Sequence, residues 1–325
     1  MILNSLFQDG MIFQANKPLR VFGTGEGHAR VSLRGTAAEG DFTGGSWLLE
    51  LPAQKYGGPY EMTIELNGET TVLRDVYAGD VYLLAGQSNL QFKLHESDVD
   101  PATYEGDSLL RLYSAERIEE GEPYTPEDGW LSCTKENAAN WSCIGYLAGM
   151  FSRRERDRAV GMIVCYQGAA DIQAFMAEEL FAEPDFNIPW EERFDRDYPW
   201  NKGESILWHF MVEKLLPYSM AAVIWYQGES NWSAKESRVY GRMLRAMMAD
   251  WRKKFLDGAL KFIIVQIADN DGRQNEDWER IQQAQAEIGA EDENAVCVIS
   301  RDVCESDKIH PIHKTVLSQR IAQEM

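Results

Sequence analysis

The chain has 325 residues, of which 44% are hydrophobic and 26% are charged, with no low-complexity tract, so it is predicted to be globular with a buried core. Its formal net charge is −20, from 52 acidic and 32 basic residues. Such a surface repels phosphate backbones and anionic lipids, which excludes nucleic acid and membranes as expected partners.

The N-terminal stretch "MILNSLFQDGMIFQ" has neither a basic segment nor a long apolar segment, so no signal peptide or membrane span is predicted. The cysteines are odd in number and lack the spacing of metal ligands, which predicts reduced structural thiols and no metal site. These features favour a cytoplasmic location for the protein. The alternative is a trimmed secreted form, and in an oxidising compartment Cys133 and Cys143 could form a disulfide. The five cysteines are Cys133, Cys143, Cys165, Cys297 and Cys304.

Residues 1–78 are predicted to be a β-module. Short alternating segments such as "LRVFGTG" and "HARVSLRG" are separated by glycine-rich and Asn-Gly turns, which is typical of antiparallel strands. The expected form is a small β-sandwich or a jelly-roll-like module.

Residues 79–325 are predicted to form a second domain of the α/β class. Five apolar runs are continuous rather than alternating, as in parallel strands that are covered on both faces. Helical patterns between them indicate a three-layer α/β/α domain, whose site should lie at the carboxyl ends of the strands. The strand candidates are 81–85, 160–166, 221–227, 260–268 and 295–300, and the helix candidates are about 140–158, 204–219, 236–256, 274–289 and 313–324.

The stretch 176–203 is acidic and aromatic, and it has two interpretations. It is either a surface excursion with its own small hydrophobic cluster or a wall of the substrate site. In the second case Phe186, Trp190, Tyr198 and Trp200 would offer stacking faces to a sugar.

Ser88 follows the first apolar run in "VYLLAGQSNL". Gly86 permits a sharp turn there, and free N–H groups at a helix start stabilise negative charge. Alone, the motif fits a helix cap at least as well as a nucleophile. The interpretation of Ser88 therefore depends on what else the chain supplies.

A candidate base and its carboxylate lie near the other end, in "ESDKIHPIHK". Asp307 and His310 are three residues apart, and Pro311 keeps His310 out of helical geometry. With Ser88 they make the hydroxyl, imidazole and carboxylate of nucleophilic ester chemistry, provided that their geometry permits it. The rival histidines are His95, His209 and His313.

Two further segments are candidates for an oxyanion hole. Gly168, in "YQGAADIQAF", would let its N–H approach a ligand closely, and Gln227, in "WYQGESN", has an amide that donates hydrogen bonds. The structural alternatives are that Gly168 is an ordinary turn glycine and that Gln227 makes ordinary structural hydrogen bonds. For Glu229 the favoured interpretation is a buried carboxylate that organises its loop.

The motifs "GQSN", "WYQGESN" and "DKIHP", in this order, resemble those of the SGNH hydrolases, and specifically the carbohydrate esterases of the sialate O-acetylesterase type. The likeness extends into the β-module, through "LFQDGMIFQ" and "LRDVYAGDVYLLAGQSN". It therefore covers nearly the whole chain. The chain departs from the family pattern at Leu90, Ala169, Phe175 and His209, and none of these positions belongs to the expected triad.

The resemblance implies a flavodoxin-like hydrolase domain that removes acetyl groups from sugars without a metal or cofactor. It implies Ser88 as nucleophile, His310 as base and Asp307 as its partner. The oxyanion would be held by the N–H groups of Ser88 and Gly168 and by the amide of Gln227. Supporting residues would be Gln87, Asn89 and Glu229.

The predicted function is a serine carbohydrate esterase that acts on an O-acetylated carbohydrate through an acetyl-enzyme. An acetylxylan esterase of the same fold is the nearest alternative. A catalytically silent glycan-binding protein and a lipase or thioesterase are alternatives from other classes. The sequence predicts no particular oligomeric state.

Overall fold

A computed structural model describes residues 1–115, 117–119, 122–124, 129–194 and 202–325, with side chains described outside 117–124. The strands are β1 (Ile2–Leu3), β2 (Ile12–Gln14), β3 (Leu19–Leu33), β4 (Thr36–Leu51), β5 (Gly57–Leu66), β6 (Glu69–Gly86), β7 (Asp107–Ser114), β8 (Arg117–Glu119), β9 (Glu122–Tyr124), β10 (Trp130–Cys133), β11 (Val160–Tyr166), β12 (Ala222–Tyr226), β13 (Lys261–Val265) and β14 (Ala295–Val298). The α-helices are α1 (Ser88–Gln91), α2 (Lys135–Ala138), α3 (Cys143–Arg156), α4 (Ile172–Phe175), α5 (Ala234–Lys254), α6 (Glu276–Glu291) and α7 (Thr315–Glu324).

The N-terminal region is a mainly antiparallel sheet, as its alternating sequence predicts. Strand β3 pairs with β4 along nearly its whole length and with β5 on its other side, and β5 pairs with the first half of β6. Apolar side chains from these strands, among them Val21, Trp47 and Ile64, are buried in a core. The β-sandwich or jelly-roll form that was predicted for this region is not confirmed.

The two regions share a strand. Strand β6 runs without a break past the predicted boundary at residue 78, and its second half, Asp80–Gly86, pairs in parallel with β11. Its other side, Tyr82–Gly86, pairs in parallel with β12. The division into 1–78 and 79–325 stays a prediction, and the backbone joins the two parts through one continuous element.

The second region is a mixed α/β fold with a mostly parallel sheet. Its strand order is β10–β7–β11–β6–β12–β13–β14, and only the edge strand β10 is antiparallel to its neighbour. Every residue of β11 and β12 is buried, as expected for strands with both faces covered. Helix α3 packs with α7, and α5 packs with α6.

Four of the five predicted helices are present near their predicted limits, and the five apolar runs are all strands. The stretch 204–219 is less regular than predicted, with a π-helical turn at Trp208–Val212 and a 3₁₀ turn at Glu213–Leu215. Strand β7 was missed because Arg111 interrupts its apolar pattern. That side chain is buried and donates hydrogen bonds to the Gly10 and Asp75 carbonyls, so its charge is satisfied inside the fold.

The chain reverses its direction of travel across the sheet at β6, because β7 and β11 lie on one side of it and β12 lies on the other. In such a sheet a crevice opens at the carboxyl ends of the strands that flank this point.

None of the helices in the described ranges is long and apolar enough to cross a membrane.

Candidate active site

Ser88 lies at the carboxyl end of β6, where that crevice opens. Gly86 ends the strand with φ +147°, and a Cβ at this position would lie 2.1 Å from the Tyr226 carbonyl oxygen. Only glycine therefore fits between the two strand ends. Ser88 is the first residue of α1, and the N-cap is Gln87, which makes no side-chain cap bond. The helix-cap interpretation of Ser88 is therefore wrong.

His310 meets Ser88 across 222 residues of sequence. Its Nε2 lies 2.8 Å from the Ser88 Oγ, and both side chains are half-buried. The rival histidines are engaged elsewhere: His95 with the Ala139 carbonyl, His209 with Glu178 and Glu213, and His313 with Glu305. The structure thus brings His310, and not His313, to the serine.

Burial lowers the pKa of His310 below 6.5, and the positive charges of Lys314 and Arg273 lower it further, against an opposing effect of Glu96. A lowered pKa keeps the imidazole neutral at neutral pH. A neutral imidazole accepts a proton, as a general base must.

The loop that carries His310 is anchored by Glu305. This carboxylate accepts hydrogen bonds from the N–H groups of Ile312 and His313 and lies 2.9 Å from His313 Nδ1. Burial opposes its ionisation, but the hydrogen bonds prevail and hold the pKa of Glu305 at about 2. Glu305 was not singled out in the sequence, where an acidic residue before a histidine motif has many ordinary interpretations.

Asp307 does not contact His310. It is exposed, and no carboxylate among the described residues lies within 4.0 Å of the His310 ring nitrogens. The predicted hydrogen bond between them is therefore absent from this structure. The physical reason is that the tip of the loop, at Asp307 and Lys308, projects into solvent while Glu305 and Lys314 hold its two ends.

Gln227 does not face the crevice. Its side chain is fully buried, and its Nε2 donates to Gln87 Oε1, the Ala170 carbonyl and Asn231 Oδ1 at 3.1, 3.1 and 2.7 Å. An amide with its hydrogens engaged in this way has none to offer an oxyanion. The structure therefore contradicts the prediction that the Gln227 side chain is an oxyanion donor and favours its structural alternative.

Gln87 connects the serine loop to the loop after β12. Its Oε1 accepts hydrogen bonds from Gln227 Nε2 and from the N–H groups of Gly228 and Ser230, and its Nε2 lies 3.2 Å from Ser230 Oγ. These contacts place the residue before Ser88 rigidly, which is what a supporting residue does.

Gly168 lies beside the serine. A Cβ at Gly168 would be 4.0 Å from the Ser88 Cβ and 3.0 Å from Gln91 Oε1. Gly168 and Ser88 both line a cavity of about 390 Å³, which is the size of a small-ligand pocket. The residues that line it are Gln87, Ser88, Gln91, Gln167, Gly168, Ala169, Phe194, Glu229, Ser230, Arg273, Ile309 and His310.

Only part of the predicted aromatic wall can be compared with this cavity. Phe186 is buried against Arg242, and neither it nor Trp190 lines the cavity. Tyr198 and Trp200 lie outside the described residues. Among the described residues of this stretch, Phe194 is the aromatic residue that lines the cavity, and its ring centroid lies 4.8 Å from that of Trp232.

A buried polar network lies behind the serine. Asn89 donates to Glu229 Oε1 at 2.6 Å and to the Ile309 carbonyl at 3.0 Å, and it accepts from Lys314 Nζ at 2.9 Å. Glu229 is buried and hydrogen-bonded, as its favoured interpretation predicted. Through the Ile309 carbonyl, the network connects the serine loop directly to the residue before His310.

Lys314 was missed in the sequence, where a lysine after a histidine motif resembles any surface lysine. It is completely buried, and its Nζ lies 5.1 Å from the ring centroid of Phe92 and 5.7 Å from that of Tyr226. Burial lowers the pKa of Lys314. The energetic cost of this burial is offset by the Asn89 oxygen and by the aromatic faces.

We expect Lys314→Met to lower the free energy of unfolding by about 1–3 kcal/mol, because it leaves the buried Asn89 oxygen without a donor. Urea denaturation followed by tryptophan fluorescence measures this change. The matched control is Lys308→Met, which removes an exposed lysine from the same loop and should change stability by less than about 0.5 kcal/mol. Equal stabilities of the two variants would show that Lys314 is not part of the folded network.

The family model for carbohydrate esterases described as sialic acid-specific acetylesterases matches residues 78–325. The chain belongs to this family. The match begins within β6, so it includes Ser88, His310 and the whole parallel sheet, and it leaves the first 77 residues outside.

Curated relatives agree with this membership. The sialate O-acetylesterases of Homo sapiens and Pongo abelii are each 24% identical to the chain over 311 aligned residues, and each match covers 85% of this chain and 59% of the relative. The chain thus spans less than two thirds of the length of these relatives.

Solved structures show a similar fold. A carbohydrate acetylesterase from Xanthomonas citri is 25% identical, with a TM-score of 0.84 over 99% of this chain and 73% of its own. A protein from Arabidopsis thaliana is 19% identical, with a TM-score of 0.51 over 76% of this chain and 97% of its own, a likeness of fold alone. The high coverage in the first case includes the N-terminal sheet.

Proposed function

We propose that the protein is a serine carbohydrate O-acetylesterase with Ser88 as nucleophile and His310 as general base. The observation that carries the proposal is the 2.8 Å contact between Ser88 Oγ and His310 Nε2 in a cavity at the carboxyl ends of the parallel strands. Membership of a carbohydrate esterase family supports the same reaction class. Ser88 and His310 both lie in the proposed catalytic domain, 79–325. The cysteine composition supports a cytoplasmic location for the protein.

The reaction proceeds in two steps. His310 takes the Ser88 proton as Oγ attacks the acetyl carbonyl, and the imidazolium then protonates the departing sugar oxygen, which leaves as the free hydroxyl. Water, deprotonated by His310, then attacks the acetyl-enzyme carbonyl. The bond to Ser88 Oγ breaks, the imidazolium returns its proton to Oγ, and acetate is released. No metal or cofactor is required by these steps.

The oxyanion is held by backbone N–H groups at the two loops beside the serine. Ser88 is the first residue of α1, so its N–H has no acceptor within the helix and is available to the developing charge. Gly168 supplies the second N–H in this proposal, supported by its place beside the serine in the cavity. Gln227 contributes indirectly, by fixing Gln87.

Asp307 is kept in the proposal as the residue that orients His310. Hydrogen bonds at active sites are often absent or long without substrate and form when it binds. Asp307 is an exposed residue in the same short loop, three positions before His310, and the proposal requires its side chain and the loop to adjust when substrate binds.

Acetate release from a panel of acetylated sugars tests the function. The panel contains O-acetylated N-acetylneuraminic acid and acetylated xylo-oligosaccharides, and we expect release from the sialic acid. Preference for the xylo-oligosaccharides would identify an acetylxylan esterase. Binding of the sugars without any release of acetate would instead identify a glycan-binding protein and end the proposal.

The pH profile tests His310. Because only neutral imidazole accepts the Ser88 proton, kcat/KM should rise with pH and level off, with its midpoint below the ordinary histidine pKa of 6.5. Initial rates of acetate release from pH 4 to 9 measure the profile. A flat profile, or a midpoint clearly above 6.5, would show that His310 is not the general base.

A further inference from the structure

Arg273 is a pocket residue to which the proposed reaction gives no contact with the substrate. It lies in the loop between β13 and α6 and lines the cavity that contains Ser88 and His310. The loop is tied to the His310 loop by a 2.8 Å hydrogen bond from the Asp271 N–H to the Ser306 carbonyl. Arg273 therefore has a defined place relative to the reacting groups.

Two aromatic rings hold its guanidinium. The Arg273 Cζ lies 5.1 Å from the ring centroid of Phe194 and 5.9 Å from that of Trp232. Stacking of this kind orients a guanidinium without consuming its N–H groups. Its donors are thereby left to hydrogen-bond a ligand.

The guanidinium has no carboxylate partner among the described residues, although the chain has 52 acidic residues for 32 basic ones. Most other half-buried or buried arginines among the described residues are paired with a carboxylate, such as Arg193 with Glu204 at 2.6 Å and Arg252 with Asp292 at 2.6 Å. The protein is strongly acidic, yet this arginine lies between two aromatic rings without a carboxylate partner among the described residues. It is therefore available to bind an anionic ligand.

The cavity itself does not neutralise this charge. Glu229 is the single carboxylate among the residues that line the cavity within the described chain. It accepts a hydrogen bond from Asn89 at 2.6 Å and is buried. Arg273 is the single arginine or lysine that lines the cavity within the described chain, and its positive charge attracts an anionic group of the substrate.

We propose that Arg273 binds the carboxylate of an O-acetylated sugar acid and is the specificity-determining residue of this site. A planar guanidinium pairs with a carboxylate through two parallel hydrogen bonds, which fixes orientation as well as adding affinity. A sugar acid held in this way presents its acetyl group to Ser88, whereas a neutral acetylated sugar such as a xylo-oligosaccharide leaves Arg273 unused. The proposal rests on the esterase function and assigns to Arg273 the recognition of the substrate carboxylate.

The test compares one acetylated sugar with its carboxylate free and masked. Acetate release is measured from 9-O-acetyl-N-acetylneuraminic acid and from its methyl ester, with wild type, Arg273→Gln and Arg273→Lys. Wild type should prefer the free acid by about 10- to 100-fold in kcat/KM, as expected for charge-assisted hydrogen bonds. Arg273→Gln should lose this preference through a raised KM, and Arg273→Lys should keep part of it.

Activity on the methyl ester separates recognition from structure. The loss of kcat/KM in Arg273→Gln should be at least about tenfold larger on the free acid than on the methyl ester. The matched control Arg238→Gln, which removes an exposed arginine outside this cavity, should behave as wild type on both substrates. Equal use of acid and ester by wild type, or an equal loss on both in Arg273→Gln, would overturn the assignment of Arg273 while leaving the esterase intact. Failure of the esterase function would appear differently, as no acetate release from either substrate by wild type.

Discussion

Ser88→Ala is expected to lower kcat/KM for acetate release by at least about 10,000-fold, because it removes the only atom that forms the acetyl-enzyme. Residual hydrolysis would come from the N–H groups that stabilise the oxyanion and from substrate binding alone. The folded state should hardly change, since the side-chain hydrogen bond of Ser88 goes to the half-buried His310 and nowhere else in the described chain. Acetate release and thermal unfolding, measured on the same preparation, check both statements.

The matched control for this experiment is Ser230→Ala. Ser230 is the other serine that lines the cavity, and its Oγ lies 3.2 Å from Gln87 Nε2. Its loss should reduce activity by less than about tenfold, through a looser Gln87, because a neutral hydrogen bond contributes about 1 kcal/mol. An active Ser88→Ala with an inactive Ser230→Ala would transfer the nucleophile to Ser230, and that result would overturn the proposed mechanism.

Asp307→Asn is expected to lower kcat by about 100- to 10,000-fold. An asparagine in this place neither fixes the imidazole tautomer nor stabilises the imidazolium, which is the reason for the large cost in serine hydrolases. Because Asp307 is exposed, thermal stability should remain at the wild-type value. Single-turnover acetyl release, which isolates the chemical step, measures the effect together with the melting temperature.

Glu96 provides the control for Asp307. It is the carboxylate whose charge acts on His310 in this structure, where it opposes the lowering of the His310 pKa by burial. Since Glu96 accepts a hydrogen bond from the Lys93 N–H at 2.6 Å, Glu96→Gln should change kcat by less than about threefold. A large loss in Glu96→Gln with little loss in Asp307→Asn would assign the orienting role to Glu96, and little loss in both would leave a Ser88–His310 dyad.

The strands of the parallel sheet were predictable because a strand that is buried on both faces is a continuous run of apolar residues in the sequence. Strands β11 and β12 consist almost wholly of apolar residues, and each is bounded by a glycine or polar segment. Strand β7 has no such run, because Arg111 in its middle finds its acceptors in Gly10 and Asp75, about 100 and 36 residues away. A pattern within a window of the chain cannot contain that information.

The sequence by itself determined the chemistry that is available: a serine after a buried strand, a histidine motif near the other end, and polar loops at the ends of strands between them. Only the tertiary structure decided which side chains face the cavity. It joined Ser88 to His310, turned the Gln227 amide into the protein and left Asp307 in solvent. It also buried Lys314 and placed Arg273 between two rings without a carboxylate partner among the described residues. The reason is physical: residue type is local, whereas the direction and charge state of a side chain depend on the remote groups that pack against it.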